Sequence, residues 1–108
     1  MRGLSVLALI YTGCLFSPPQ FPATVTTARP PQPREPTCEF QVLTGRPSGN
    51  WEEVAIMTAS GMATNDPSTF RKAAQPEVCR VGGEAVITEV NGYGQYVRGT
   101  VIKRSVAR

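Results

Sequence analysis

The fold is decided by the stretch Ala85-Val-Ile-Thr-Glu-Val-Asn-Gly-Tyr-Gly-Gln-Tyr-Val-Arg-Gly-Thr-Val-Ile102. Two runs rich in β-branched residues, 85–90 and 96–102, flank the turn residues Asn91-Gly-Tyr-Gly94. Asn-Gly between two such runs is a strong signal for a β-hairpin. The sequence therefore predicts two antiparallel strands joined by a tight turn.

A helix is predicted directly before this hairpin. Asp66-Pro67 is a typical helix start, because the carboxylate caps the first turn and proline at the first position loses no hydrogen bond. Gly82-Gly83 is a typical stop. Between these signals, residues recur at roughly helical spacing, namely Phe70, Ala74, Glu77, Val78 and Val81. Pro76 either kinks this helix or divides it into two short pieces.

Two further strands are predicted before the helix. Apolar and polar residues alternate over 38–43, with Phe40 and Val42 on one face. Residues 51–59 contain Val54, Ile56 and Thr58 at a period of two, which predicts a second strand. The block 44–50 between them is rich in turn residues. The predicted fold class is α+β, a small two-layer sandwich. It has a mostly antiparallel four-stranded sheet in the order β-β-α-β-β, with one helical segment packed on it.

The N-terminus has the pattern of an export signal. A short basic start, Met1-Arg-Gly3, precedes an apolar run over 4–11 that is too short to span a bilayer but suits a signal peptide. The run ends at Thr12-Gly-Cys14, which resembles the lipobox of bacterial lipoproteins, in which the cysteine is diacylated and becomes the first mature residue. Residues 1–13 are therefore predicted to be a signal peptide and Cys14 the lipidation site. A secretory signal cut further along, which would give a soluble secreted or periplasmic protein, is the alternative.

Residues 14–37 are predicted to be the lipid anchor and a proline-rich tether. Seven of the ten prolines lie between Ser17 and Thr37, where large apolar residues are few. This composition favours polyproline II over a packed core. Fully extended, these 21 residues would hold the domain up to roughly 65 Å from its anchor. The folded domain is then predicted to be 38–108.

Several short motifs resemble known bacterial proteins. They are Cys38-Glu-Phe-Gln-Val42, Arg46-Pro47, Val78-Cys79, Gly82-Gly-Glu-Ala-Val-Ile87 and Val90-Asn-Gly-Tyr-Gly94. With the leader, they resemble a family of uncharacterised envelope lipoproteins of myxobacteria and relatives, and the lipoproteins related to the Rcs stress sensor. The element 82–87 is also similar to Gly-Ala-Asp-Ala-Val-Ile of small YbjQ-like domains. The resemblance implies an envelope protein and carries over no catalytic residue. The residue after the lipobox cysteine is Leu15 rather than Asp, and in this the chain resembles lipoproteins that are passed on to the outer membrane, where they face the periplasm.

The cysteine count supports export. If Cys14 carries lipid, Cys38 and Cys79 remain as one pair in an oxidising compartment. A bridge between them would close a loop of about 40 residues and contribute about 3–4 kcal/mol of stability. The alternative is a pair of free thiols, with Cys79 as the centre of a small redox protein or enzyme. The chain has no His to act as a base for such a thiol, so the sequence favours the bridge.

Other chemistries have weak support in the sequence. Without His, the usual hydrolytic triads and most zinc sites lose a member, and neither a metal nor a cofactor is predicted. Glu52 and Glu53 are adjacent on a strand and point to opposite faces. The sequence Gly92-Tyr-Gly94 lacks the helix and Lys of a phosphate loop. Residues 38–108 hold eight Lys or Arg against seven Asp or Glu, so no nucleic-acid partner is predicted.

These observations predict a non-catalytic envelope lipoprotein. Its small disulfide-stapled domain would bind or sense a periplasmic partner or have a structural role. The expected partners are the membrane, through the lipid on Cys14, and an envelope protein. The candidate partner surface is Tyr93, Tyr96 and Arg98, for which packing between the strands is the alternative role.

Overall fold

The computed structural model describes residues 17–105, which form a small α+β domain. Its elements are β1 (Ala23–Val25), β2 (Gln41–Leu43), β3 (Trp51–Thr58), α1 (Pro67–Arg80), β4 (Ala85–Val90) and β5 (Tyr96–Arg104). The strands form one mixed sheet in the order β1-β3-β5-β4-β2, and residues of α1 join the sheet in one core. The predicted class with one helix is confirmed. The predicted signal peptide, 1–13, and lipidation site, Cys14, lie outside the described residues.

The sheet differs from the prediction in strand number and in one pairing. It has five strands rather than four, and β2 runs parallel to β4, with Leu43 opposite Ile87. Tight hairpin loops have about 2–5 residues. The connection 44–50 is longer than that, which leaves β2 free to lie at the far edge of the sheet, away from β3. The pairs β3–β5 and β4–β5 are antiparallel, as expected for most of the sheet.

The fifth strand comes from the segment predicted to be a tether. Strand β1 pairs with β3 at the other edge of the sheet, and Phe21 just before it is only 2% exposed. Proline is tolerated at the start of an edge strand, so Pro22 does not prevent this pairing. The proline-rich composition of the segment predicted no strand, although Phe21 is a large apolar residue and is followed by the strand Ala23-Thr-Val25. The folded domain therefore includes residues 20–26, which the sequence assigned to the tether.

Residues 32–34 of the proline-rich segment lie against the C-terminal end of α1. The Arg34 amide donates to the Cys79 carbonyl at 2.7 Å, and the Arg34 guanidinium donates to the Gly83 carbonyl at 2.6 Å. Gly82 has φ of 78°, and a Cβ there would lie 2.5 Å from the Gln32 carbonyl oxygen. Glycine is thus required both for the left-handed end of the helix and for this close contact.

Helix α1 begins and ends where the sequence predicts. The Asp66 carboxylate accepts a hydrogen bond from the Thr69 amide at 3.1 Å, and Pro67 is the first helical residue. The helix runs as one element through Pro76 to Arg80, so it is not divided into two pieces. Its buried face is formed by Phe70, Ala74, Val78 and Cys79.

The core face of β3 differs from its period-two pattern. A bulge between Glu53 and Ala55 shifts the register, so that Val54 and Ala55 are both buried. Met57 is fully buried, whereas Ile56 is half-buried. The expected set Val54, Ile56 and Thr58 therefore does not share one buried face. The strand itself is confirmed.

Candidate functional site

The turn between β4 and β5 is organised by one side chain. The Asn91 Oδ1 atom accepts from the amides of Tyr93 at 2.9 Å and Gln95 at 3.0 Å. The Gly94 amide donates to the Asn91 carbonyl at 3.0 Å, and Gly94 has φ of 77°. The loop is therefore a three-residue turn with its left-handed residue at Gly94, whereas the Asn-Gly pair is typical of a two-residue turn. This geometry places Tyr93 at the tip.

The three residues predicted to form a partner surface have different environments. Tyr93 is 84% exposed. Tyr96 packs against the core, and its ring stacks on Phe70 with centroids 4.5 Å apart and an interplanar angle of 16°. The exposed Arg98 guanidinium lies 3.8 Å from the Glu89 carboxylate on the neighbouring strand. Of the predicted surface, Tyr93 and Arg98 are accessible and Tyr96 belongs mainly to the core.

Other apolar side chains extend this surface. Within residues 17–105, the large apolar side chains that are exposed are Met62 (58%), Val90 (54%), Tyr93 (84%) and Val97 (38%). They come from the β4–β5 turn region and from the loop 59–65. Two backbone hydrogen bonds join these segments, from Ala59 to Val97 at 3.0 Å and from Tyr96 to Thr64 at 2.9 Å. We call this set of four residues the hairpin-end patch.

The sequence did not single out Met62, Val90 or Val97 as surface residues. Val90 and Val97 lie in runs that predict strands, where apolar residues are expected to be buried. The available signal was the absence of charge, because 59–65 and 90–97 contain no Asp, Glu, Lys or Arg. Exposed apolar side chains that are grouped in one region of a domain are typical of interaction sites.

The first described residues reach the same end of the sheet. The Met62 amide donates to the Ser17 carbonyl at 3.2 Å, and Gln20 forms an antiparallel bridge with Ser60. A Cβ at Gly61 would lie 2.3 Å from the Pro18 carbonyl oxygen, so only glycine permits this contact. Segment 17–20 is thus held directly beside the hairpin-end patch.

A disulfide joins the two cysteines of the domain. Cys38 and Cys79 are bonded, with Cα atoms 5.8 Å apart, as the sequence predicts. Cys79 is fully buried and Cys38 is 9% exposed. Both sulfur atoms are therefore used in a bridge that lies within the protein interior.

Strand β1 is held to the helix by a partly buried ion pair. The Glu77 Oε1 atom accepts from the Ala23 amide at 2.9 Å and from the Arg80 guanidinium at 2.8 Å. The Arg80 guanidinium also donates to the Ala23 carbonyl at 3.0 Å. Partial burial raises the pKa of Glu77, but the hydrogen bonds from Arg80 and Ala23 and the charge of Arg80 outweigh it. The net effect is a pKa below its ordinary value.

The two adjacent glutamates of β3 contact the same N-terminal segment, residues 26–29. Glu53 accepts from the Thr26 hydroxyl at 2.7 Å, and the Glu52 carboxylate lies 3.6 Å from the Arg29 guanidinium. They do not converge on one site. Residues 17–105 contain no group of three or more Cys, Asp or Glu side chains placed to hold a metal ion.

An open concavity lies at the opposite end of β3. It is lined by Ser48, Gly49, Asn50, Trp51, Arg104 and Ser105. The Arg104 guanidinium lies 5.4 Å from the centre of the Trp51 ring, and the Trp51 indole donates to the Ser48 carbonyl at 2.9 Å. The sequence did not predict this feature, because β3 and the end of β5 are brought together only by their pairing.

Helix α1, the one helix described over 17–105, is too short and too polar to cross a bilayer. Comparison of the chain with protein-family models, with curated proteins and with solved structures gives no match.

Proposed function

We propose that this protein is a non-catalytic lipoprotein of the bacterial envelope. In this proposal Cys14 carries the lipid, the outer membrane is its location, and the domain works in the periplasm by binding or by a structural role. The observation that carries the proposal is the buried Cys38–Cys79 disulfide. Disulfides persist in oxidising compartments, which agrees with the export pattern of residues 1–14.

The contact surface in this proposal is the hairpin-end patch together with Arg98. Its side chains are exposed and largely apolar. Tyr96, beside Val97 in β5, fixes this end of the strand to the core by stacking on Phe70. A surface held on a rigid hairpin can be recognised without first becoming ordered, which lowers the cost of binding.

The alternative, a thiol-based redox protein using Cys79, has less support. A catalytic thiol must be accessible and needs a group that stabilises its thiolate. The Cys79 sulfur is fully buried and bonded to Cys38. The resemblance to Rcs-type and myxobacterial lipoproteins rests on short motifs. It supports the envelope location in this proposal and no other part of it.

The anchor is tested by expressing the full chain in a Gram-negative bacterium and measuring the intact mass of the mature protein. We expect a chain that begins at Cys14 and carries added acyl groups, and that fractionates with the outer membrane. Cys14→Ser is the matched control and should lose both the acyl mass and the membrane fraction. An unmodified mature chain that begins downstream of Cys14 would reject the lipid anchor in favour of a soluble secreted protein.

The non-catalytic assignment is tested by alkylation of the native protein. Cys38 and Cys79 should resist an alkylating reagent until the chain is both reduced and unfolded. Rapid labelling of Cys79 in the native protein after mild reduction would instead support the redox alternative.

A further inference from the structure

The position of Ser17 limits where the domain sits relative to a lipid on Cys14. Only Leu15 and Phe16 lie between these two residues in the sequence. Three residues span at most about 11 Å. Because the Ser17 carbonyl accepts from the Met62 amide, a membrane surface at Cys14 lies within about that distance of the Ser17–Met62 contact, on the side of the sheet end where the loop 59–65 meets β5. The long extended spacer predicted from the prolines would have allowed roughly 65 Å.

The charges of the domain are distributed in agreement with this position. Segments 17–28, 59–65 and 90–97 contain no Asp, Glu, Lys or Arg. At the margin of the patch, Glu89 and Arg98 face each other, and Asp66 follows the loop 59–65 directly as the cap of α1. The opposite end carries Glu84, Lys103 and Arg104. Ionised groups are costly in the membrane, whereas tyrosine is enriched at its interface with water.

On the basis of the lipid anchor proposed above, we infer that the hairpin-end patch rests on the lipid bilayer. Met62, Val90, Tyr93 and Val97 enter the headgroup region, and segment 17–20 connects them to the anchor. The patch then acts as a second membrane contact, beside the lipid, that fixes the orientation of the domain. The concavity at Trp51 faces away from the membrane.

The test uses the mature lipoprotein, purified from membranes and reconstituted into phosphatidylcholine vesicles. Tyr93→Cys provides a single free thiol for an environment-sensitive fluorophore, because Cys38 and Cys79 are bridged. Ser48→Cys is the matched control, since Ser48 is also exposed but lies in the loop at the opposite end of the sheet. Both substitutions are at exposed positions and should leave the core intact.

Lipids with a headgroup nitroxide should quench the fluorophore at position 93 several-fold more strongly than the fluorophore at position 48. The emission at position 93 should also shift to shorter wavelength when vesicles are added. Equal quenching at both positions in a chain whose mass proves the lipid on Cys14 overturns this inference and leaves the proposed function intact. A mature chain without lipid overturns both.

A photo-crosslinker at position 93 in intact cells separates the bilayer from a protein partner. We expect crosslinks to lipid and no discrete protein adduct. A single protein adduct at position 93, absent at position 48, would assign the patch to an envelope protein instead.

Discussion

Tyr93 and Tyr96 lie three residues apart in the sequence but have opposite roles at the hairpin end. Tyr96 stacks on Phe70 and belongs to the core, whereas Tyr93 projects from the tip of the turn. The difference is set by the backbone of the turn, where Asn91 binds two amides and Gly94 adopts a left-handed conformation. The exposure of Tyr93 is therefore a property of the turn rather than of the tyrosine.

Gly94→Ala should destabilise the domain, and Gly92→Ala is its matched control. Both glycines have open space where a Cβ would be, but only Gly94 has positive φ, at 77°. A left-handed alanine costs about 1–2 kcal/mol. We expect the midpoint of thermal unfolding to fall by roughly 4–8 °C per kcal/mol for Gly94→Ala. Gly92→Ala should leave the midpoint nearly unchanged, and an equal loss in both variants would contradict the proposed turn geometry.

The elements show which parts of the fold the sequence can predict. Helix α1 was predictable because its start and stop depend on local groups, Asp66-Pro67 and Gly82-Gly83. The hairpin was predictable for the same reason. The parallel pairing of β2 and the pairing of β1 depend on contacts between distant residues, which no local pattern encodes. Of the hairpin-end patch the sequence singled out Tyr93 alone, because Val90 and Val97 lie in strand patterns and Met62 joins the patch only through tertiary structure.

Phe21→Ala tests whether β1 belongs to the folded domain. Phe21 is 2% exposed, and its ring contacts Phe70 edge-on with centroids 4.7 Å apart. Removing a buried phenylalanine side chain costs about 3–5 kcal/mol. Chemical denaturation should show a loss of that order. Pro31→Ala, at an exposed position of the same proline-rich segment, is the control and should change the free energy of unfolding little. A freely extended tether would make both variants neutral.

The contact between β1 and α1 should make stability depend on pH. The folded pKa of Glu77 lies below its ordinary value of 4.5, so its charged form stabilises the domain above that pH. This contribution is lost as the pH falls through the folded pKa. In Glu77→Gln the amide oxygen still accepts from Ala23, but the charge facing Arg80 is absent. We expect denaturation midpoints between pH 3 and 5 to depend less steeply on pH than in the wild type, and an unchanged slope would exclude the Glu77 pair as the cause.

At the scale of the whole molecule, strands β3 and β5 separate two ends of different chemistry. At the hairpin end, segments 59–65 and 90–97 carry no charged residue, and the first described residues are held there. The end with Trp51 and Arg104 is polar and open. Strand β3 separates these ends by about 23 Å at about 3.3 Å per residue. A domain oriented by its hairpin end would therefore present the Trp51 concavity to the periplasm.

The Cys38–Cys79 bridge should hold this arrangement together. It joins Cys38, three residues before the start of the short edge strand β2, to the last turn of α1, across 41 positions of sequence. Closing a loop of that length contributes about 3–4 kcal/mol, a large part of the stability of so small a domain. Reduction should lower the midpoint of thermal unfolding by roughly 12–32 °C, at about 4–8 °C per kcal/mol. The double variant Cys38→Ser, Cys79→Ser should match the reduced wild type and should not respond to reductant. Cys14→Ser should respond as the wild type does, because Cys14 is not part of the bridge. A midpoint that is the same with and without reductant would mean that the bridge does not stabilise the domain. The packing of β2 on β4 would then be sufficient to hold this edge of the sheet in place.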